Sequence, residues 1–161
     1  MGIKKSLLVV DMPKGSYSSP SKALRNAKLI FKKTNCDAVK LESHNNNFKV
    51  INHLVKKNIP VMGHIGYTPQ FKNKFKLEGQ SSKETVSLLK EAKLIENAGA
   101  FSIVLECIAS NAAKLITSKI SIPTIGIGSS IHCDGQILVT DDMLGLSGFY
   151  PKFVKKYANL N

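Results

Sequence analysis

Ala38-Val39-Lys40-Leu41-Glu42 is an apolar run that ends in two charges one residue apart. Side chains alternate along a strand, so Lys40 and Glu42 point to one face and Leu41 to the other. The pattern recurs along the chain. Leu7 to Val10 runs into Asp11, Pro60 to Met62 into Gly63 and His64, and Phe101 to Leu105 into Glu106. Thr124 to Ile127 and Ile137 to Val139 bring the short runs to six, rich in Val, Ile and Leu without strict polar alternation. Strands covered on both faces read this way.

Amphipathic stretches separate the runs. Ser19 and Pro20 form a cap and first-turn pair ahead of Leu24, Ala27 and Phe31 on one face, and Phe48, Ile51 and Val55 share a face in the next stretch. Ser81 and Glu84 have capping-box spacing before Leu88, Leu89, Ala92 and Ile95, with Gly99 as the stop. Ala109, Ala112, Ala113 and Ile116 mark a fourth, alanine-rich helix. Strand and helix in alternation mean parallel strands joined by right-handed crossovers. A doubly wound nucleotide binder would carry G-x-G-x-x-G after its first strand; Asp11-Met12-Pro13-Lys14-Gly15 stands there instead. Gly126-Ile127-Gly128 reads as tight strand-to-loop packing. The expected fold is therefore α/β, a (β/α)8 barrel or a piece of one. Closure needs eight strands and typically about 250 residues, so about six parallel strands leave it incomplete.

A length of 161 residues with 43% apolar content suits one domain, residues 1–161, with a sizeable core. The formal net charge of +12 raises the question of an acidic partner. Arg25 is the sole arginine, the lysines spread over the polar sides of helices, and Trp is absent. Arginine forks are thus missing, the other aromatics are few and scattered, and no nucleic acid partner is expected. Cys36, Cys107 and Cys133 form no C-x-x-C pair. That argues for a reducing, cytoplasmic setting. No run approaches membrane-spanning length, so no membrane partner is expected either.

Charges at four strand ends require a reason, because burying one costs several kcal/mol, by order of magnitude, unless it is paired or bound to a metal. The C-terminal rim of a barrel is where catalytic groups sit. Residue types alone suggest carbanion chemistry. Asp11 and Glu42 are hard oxygen ligands suited to Mg²⁺, which can hold a keto acid. Lys40 can neutralise a bound carboxylate or enolate, His64 can donate a hydrogen bond, and Glu106 can act as the base. A zinc site from His64, His132 and Cys133 lacks ligand spacing. His44 and His53 read as surface residues, and Asp141 and Asp142 as an N-cap pair for Met143 to Leu146.

Several segments closely resemble the ketopantoate hydroxymethyltransferase family. They are Val10-Asp11-Met12-Pro13 with Gly15-Ser16-Tyr17, Ala38 to Glu42, Pro60-Val61-Met62-Gly63-His64-Ile65-Gly66 with Thr68-Pro69-Gln70, and Leu105-Glu106-Cys107. Ile122 to Gly128, Cys133-Asp134-Gly135-Gln136 and Pro151 to Lys155 continue the likeness in the same order, from end to end. The resemblance implies a Mg²⁺-dependent (β/α)8 TIM-type barrel of the phosphoenolpyruvate/pyruvate-binding group. That family transfers a hydroxymethyl group from 5,10-methylenetetrahydrofolate to 3-methyl-2-oxobutanoate, giving 2-dehydropantoate, and assembles as homo-oligomers, commonly decamers. By position, Asp11 is then a metal ligand that also touches substrate, Glu42 a second metal carboxylate, Lys40 and His64 substrate contacts, and Glu106 the proton acceptor.

Lys14, in place of an aromatic, and Ser43-His44, in place of a glycine pair, depart from the family pattern. A larger departure is that the family begins with two further strand-helix units, the second ending in an Asp-Ser pair that binds metal and substrate. The chain reads as the C-terminal portion of the barrel, a fragment from a truncated or misplaced gene start. Its alternatives are a catalytically dead fragment that only associates with other subunits, and a related 2-oxo acid C–C lyase.

Overall fold

The computed structural model describes residues 5–44 and 47–160. Six parallel strands form one curled sheet in the order β1-β2-β3-β4-β5-β6, a half-barrel whose strands neighbour one another in chain order. They are β1 (Val9–Asp11), β2 (Ala38–Lys40), β3 (Val61–Gly66), β4 (Ser102–Glu106), β5 (Thr124–Ile127) and β6 (Gly135–Gln136). Strictly sequential order is the barrel arrangement; a doubly wound sheet reverses direction partway. The helices agree. α1 (Pro20–Thr34), α2 (Phe48–Val55), α3 (Ser82–Asn97) and α4 (Ser110–Lys119) each pack against the next, so they line one side of the sheet as an outer layer. A short α5 (Thr140–Leu144) follows β6.

Local signals set the helix ends. The Ser19 hydroxyl accepts the Lys22 N–H with Pro20 in the first turn, and Ser81 and Glu84 form a reciprocal capping box. Between helices and sheet lie Val39, Leu41, Val61, Ile65, Ile103 and Leu105 from the strands and Ile51, Leu54, Ile95 and Ile116 from the helices, all essentially buried. Each such side chain contributes about 1.5–3 kcal/mol of burial. Gly63 faces this layer, and a Cβ there would meet Ile95 Cγ2 at 2.5 Å. Close approach of α3 to β3 therefore excludes any larger residue.

Three expectations shift. β3 extends through Gly66, so His64 stands inside the strand rather than beyond its end. The sixth strand is Gly135–Gln136, not Ile137 to Val139. Its register is set by Asp134, whose Oδ2 accepts the Thr124 N–H at 2.8 Å and the Thr124 hydroxyl at 3.0 Å, pinning the chain to β5 two residues early. Ile137 and Val139 are about half exposed as a result. Asp141 and Asp142 are not N-caps: Val139 occupies that position, and both carboxylates lie in the first turn of α5. They still face the positive end of its peptide dipoles. Among the described residues no helix is long and apolar enough to cross a membrane.

Candidate active site

The parallel ladders bring the strand ends to one rim. Asp11 pairs with Lys40, Lys40 with Met62, His64 with Val104 and Gly66 with Glu106. Lys40, Met62 and His64 therefore share the concave face, opposite the side that carries Gly63 and Ile65 to the helices. Lys40 Nζ forms an ion pair with Asp11 and lies 3.4 Å from His64 Nδ1. His64 Nε2 lies 3.2 Å from Glu106 Oε2. A line of polar side chains thus runs from β1 to β4.

Chemistry orders this line. An ammonium has only donors, so Nδ1 of His64 accepts from Lys40 and the ring proton resides on Nε2. That N–H is near Glu106 but out of line with it. Among the described residues His64 Nε2 is the buried polar side-chain atom left without a hydrogen bond. Leaving such a group unpaired costs about 1–3 kcal/mol. His64 is 2% exposed, whereas the Asp11 side chain is 58% exposed at the outer end of the line.

Glu42 follows β2 and is buried. Burial raises its carboxyl above the ordinary 4.5; the Gln70 N–H, at 2.9 Å, and the Lys40 charge partly oppose the rise. Tyr17 is likewise pushed up from 10.0, by burial first and then by the Glu42 and Asp11 carboxylates. Both effects describe a negatively charged, water-poor corner between β1 and β2.

The segment after β3 holds this corner together. Gly66 has φ +93°, and a Cβ on it would lie 2.2 Å from Glu106 O, so only glycine lets the chain turn here against β4. Tyr67 then donates its N–H to Glu106 O, and Glu78 exchanges backbone bonds with Cys107 and Ala109. Lys72 Nζ ties Gly66 O, at 2.8 Å, to Glu78, at 2.9 Å. At the other side Gln70 reaches Glu42, Met12 and Tyr17. Gly128, at the end of β5, packs on the Phe153 ring.

Asp11, Lys40, His64 and Glu106 therefore come together as a continuous line, with Glu42 beside it. His44 is exposed and stacks on Phe71, with ring centroids 4.0 Å apart, and His53 is half-buried on α2. Tyr17 and Gln70 carry contacts that strand patterning did not assign. Their sequence signal is that both lie in stretches that resemble the family, each following a strand end.

Asp11 and Glu42 are the oxygen donors that could hold a metal. Among the described residues no three His, Cys, Asp or Glu side chains gather as a metal cage. Two carboxylates nevertheless fit the protein share of a Mg²⁺ shell, which usually comprises one or two carboxylates with water and substrate completing it.

The sequence model of the family described as Ketopantoate hydroxymethyltransferase matches residues 1–161. The chain is 52% identical to the 3-methyl-2-oxobutanoate hydroxymethyltransferase of Pelagibacter ubique (strain HTCC1062), over 99% of this chain and 62% of that protein. The protein of the same name from Clostridioides difficile (strain 630) is also 52% identical, over 99% of this chain and 60% of its own length. The chain thus spans roughly three-fifths of these curated relatives. Among solved structures, a candidate phosphonomutase from Burkholderia cenocepacia superposes with a TM-score of 0.58 at 11% identity, covering 76% of this chain and 54% of that one. Dihydrodipicolinate synthase from Aquifex aeolicus gives 0.51 at 14% identity, covering 89% and 52%. These two likenesses concern the fold alone. With a full-length family match and half its residues identical to named members, the chain belongs to the ketopantoate hydroxymethyltransferase family.

Proposed function

We propose that the barrel to which these six strands contribute transfers a hydroxymethyl group from 5,10-methylenetetrahydrofolate to 3-methyl-2-oxobutanoate, giving 2-dehydropantoate. The observation that carries this reading is the unpartnered Nε2–H of His64, buried between the Lys40 ammonium and the Glu106 carboxylate. A donor held beside a base is the pair that enolate formation needs: one group removes the carbon-bound proton while the other stabilises charge on oxygen.

Glu106 takes the proton from C3 of the 2-oxo acid, and His64 donates to the oxygen on which charge develops. Lys40 faces the substrate's negative charge while Asp11 holds its ammonium in place. Asp11 and Glu42 are the residues that would hold Mg²⁺, which when bound supplies a Lewis acid that polarises the 2-oxo group. The new bond joins C3 to the one-carbon unit, whose two bonds to folate nitrogens break; water provides the hydroxyl oxygen, and tetrahydrofolate leaves with the C3 proton and one proton of that water on its nitrogens. Residues 1–161 act as one domain, the C-terminal portion of the barrel.

Proton exchange at C3 of 3-methyl-2-oxobutanoate in D₂O with Mg²⁺, followed by NMR, tests the assignment. It is run on this chain and on a version extended by two strand-helix units. Exchange is expected from the extended version and is lost in Glu106→Gln with keto-acid binding retained. Undiminished exchange in Glu106→Gln overturns the role of the base; absence of exchange in both versions favours the association-only reading, which the outer positions of β1 and β6 in the sheet of the described residues support. Three free cysteines suit a cytoplasmic setting, and fractionation checks it, a secreted pool counting against it. Exposed Phe149 and Tyr157 suit a homo-oligomer, and a monomeric mass by light scattering counts against that.

A further inference from the structure

We infer that Gln70 is a positioning residue for the Glu42 carboxylate, and that Tyr17 is its anchor. Three hydrogen bonds converge on Gln70. Its backbone N–H donates to Glu42 Oε2 at 2.9 Å, its side-chain Nε2 donates to Met12 O at 3.1 Å, and its Oε1 accepts from the Tyr17 hydroxyl at 3.0 Å. Met12 directly follows Asp11 and donates its own N–H to Lys40 O at 3.0 Å. One residue therefore ties the two strand ends through the segment after β3: its side chain holds the stretch after β1, and its backbone N–H holds Glu42 after β2.

The arrangement has a directional logic. The amide of Gln70 uses both its donor and its acceptor on fixed partners, so the residue cannot swing, and its backbone N–H stays aimed at Glu42. Thr68 O accepts from both Phe71 and Lys72, tightening the turn around Gln70. Tyr17 is buried, so its hydroxyl has little freedom to turn away from Gln70. With one oxygen of Glu42 occupied by an N–H, the carboxylate has its other oxygen for a cation. Outer partners of this kind typically alter metal affinity about 10- to 100-fold when removed. The inference rests on the proposed Mg²⁺ role of Glu42 for its consequence, though not for its geometry.

The test has two arms. In the ligand-free full chain, hydrogen exchange by NMR reads the amide of residue 70. Protection is expected in the parent and is lost or strongly reduced in Gln70→Leu and in Tyr17→Phe, which deletes only the hydroxyl. In the second arm, Mg²⁺-dependent binding of 3-methyl-2-oxobutanoate is expected to weaken about 10- to 100-fold in both variants. Phe71→Leu, which disturbs packing of the same turn without touching the hydrogen bonds, is expected to stay within about twofold of the parent. Equal weakening in Phe71→Leu and Tyr17→Phe, or unchanged protection of residue 70 in Gln70→Leu, overturns the inference. If the parent extended by the two strand-helix units binds no keto acid, the proposed function fails, and the exchange arm still decides whether the clamp exists.

Discussion

Replacing Gly66 by alanine probes the tightest contact at the rim. Gly66 has φ +93°, and its new Cβ would lie 2.2 Å from Glu106 O and 2.8 Å from Ile108 Cγ1. The left-handed conformation alone costs a residue with Cβ about 1–2 kcal/mol. The clash adds about 1–3 kcal/mol, as for overpacking, because Glu106 O is backbone and cannot rotate away. The sum, about 2–5 kcal/mol, is a large share of the stability of an ordinary domain, about 5–15 kcal/mol. Gly15 supplies the control: its φ is +84°, and a Cβ there would meet nothing within 4 Å. Gly15→Ala should show the first component alone, measured by urea unfolding beside Gly66→Ala. Relief of the clash must open the pairing of Gly66 with Glu106 or break the 2.8 Å bond from Tyr67 N–H to Glu106 O. Either shifts Glu106, the proposed base. A displacement of about 1 Å can cost a hundredfold in rate, so C3 exchange by the extended enzyme should fall by roughly that factor. Should Gly66→Ala lose no more stability than Gly15→Ala, the close approach on which the placement of Glu106 depends is not present in solution.

Cysteine reactivity and the pinning of β6 give further checks. Burial, reinforced by the neighbouring Glu106 carboxylate, pushes the Cys107 thiol up to about 12 from 9.0. A raised thiol pKa means less thiolate at a given pH, so at pH 8 native Cys107 should alkylate on the order of a thousandfold more slowly than in urea. Mass spectrometry of iodoacetamide-treated protein should find half-buried Cys133 modified first; early labelling of Cys107 contradicts this. Asp134→Ala removes the acceptor of the buried Thr124 N–H. It should cost about 1–3 kcal/mol in urea unfolding while leaving keto-acid affinity unchanged, and a loss below about 0.5 kcal/mol, the scale of an ordinary surface change, would show that β6 is held by other means.

The half-barrel was legible because burial on both faces leaves a plain mark: Ile103, Val104 and Leu105 are consecutive apolar residues and all essentially buried, with Ile103 and Leu105 in the layer between sheet and helices. The rim was legible for the opposite reason, since Lys40, Glu42 and Glu106 break apolar runs where a charge is costly. The sixth strand was misplaced because Ile137 to Val139 has the stronger β character, yet ladder position is decided by the Asp134 carboxylate on Thr124. No local pattern encodes that bond. The Gln70 contacts were hidden for the same physical reason: its partners lie 28, 53 and 58 residues away, and strand patterning carries no information on such pairings.

Charge at the rim supports the proposed role of a cation in binding an anionic substrate. The chain as a whole carries a formal +12. Along the rim the groups in contact are Asp11, Lys40, His64 and Glu106, with Glu42 beside them. Lys40 fixes Nδ1 of His64 as an acceptor, leaving that ring neutral. With its three carboxylates ionised the cluster is doubly negative, against a single ammonium already engaged by Asp11. A 2-oxo acid anion approaching Glu106 would meet repulsion of about 4 kcal/mol per charge at 4 Å in a medium of effective dielectric 20. A divalent cation held by Asp11 and Glu42 would cancel those two charges. Keto-acid binding should accordingly depend on Mg²⁺, and Glu42→Gln should weaken Mg²⁺ binding while reducing the repulsion that the metal offsets. If the keto acid binds this site as tightly in EDTA as in Mg²⁺, the excess lysine charge reaches the rim after all and the carboxylates serve another purpose.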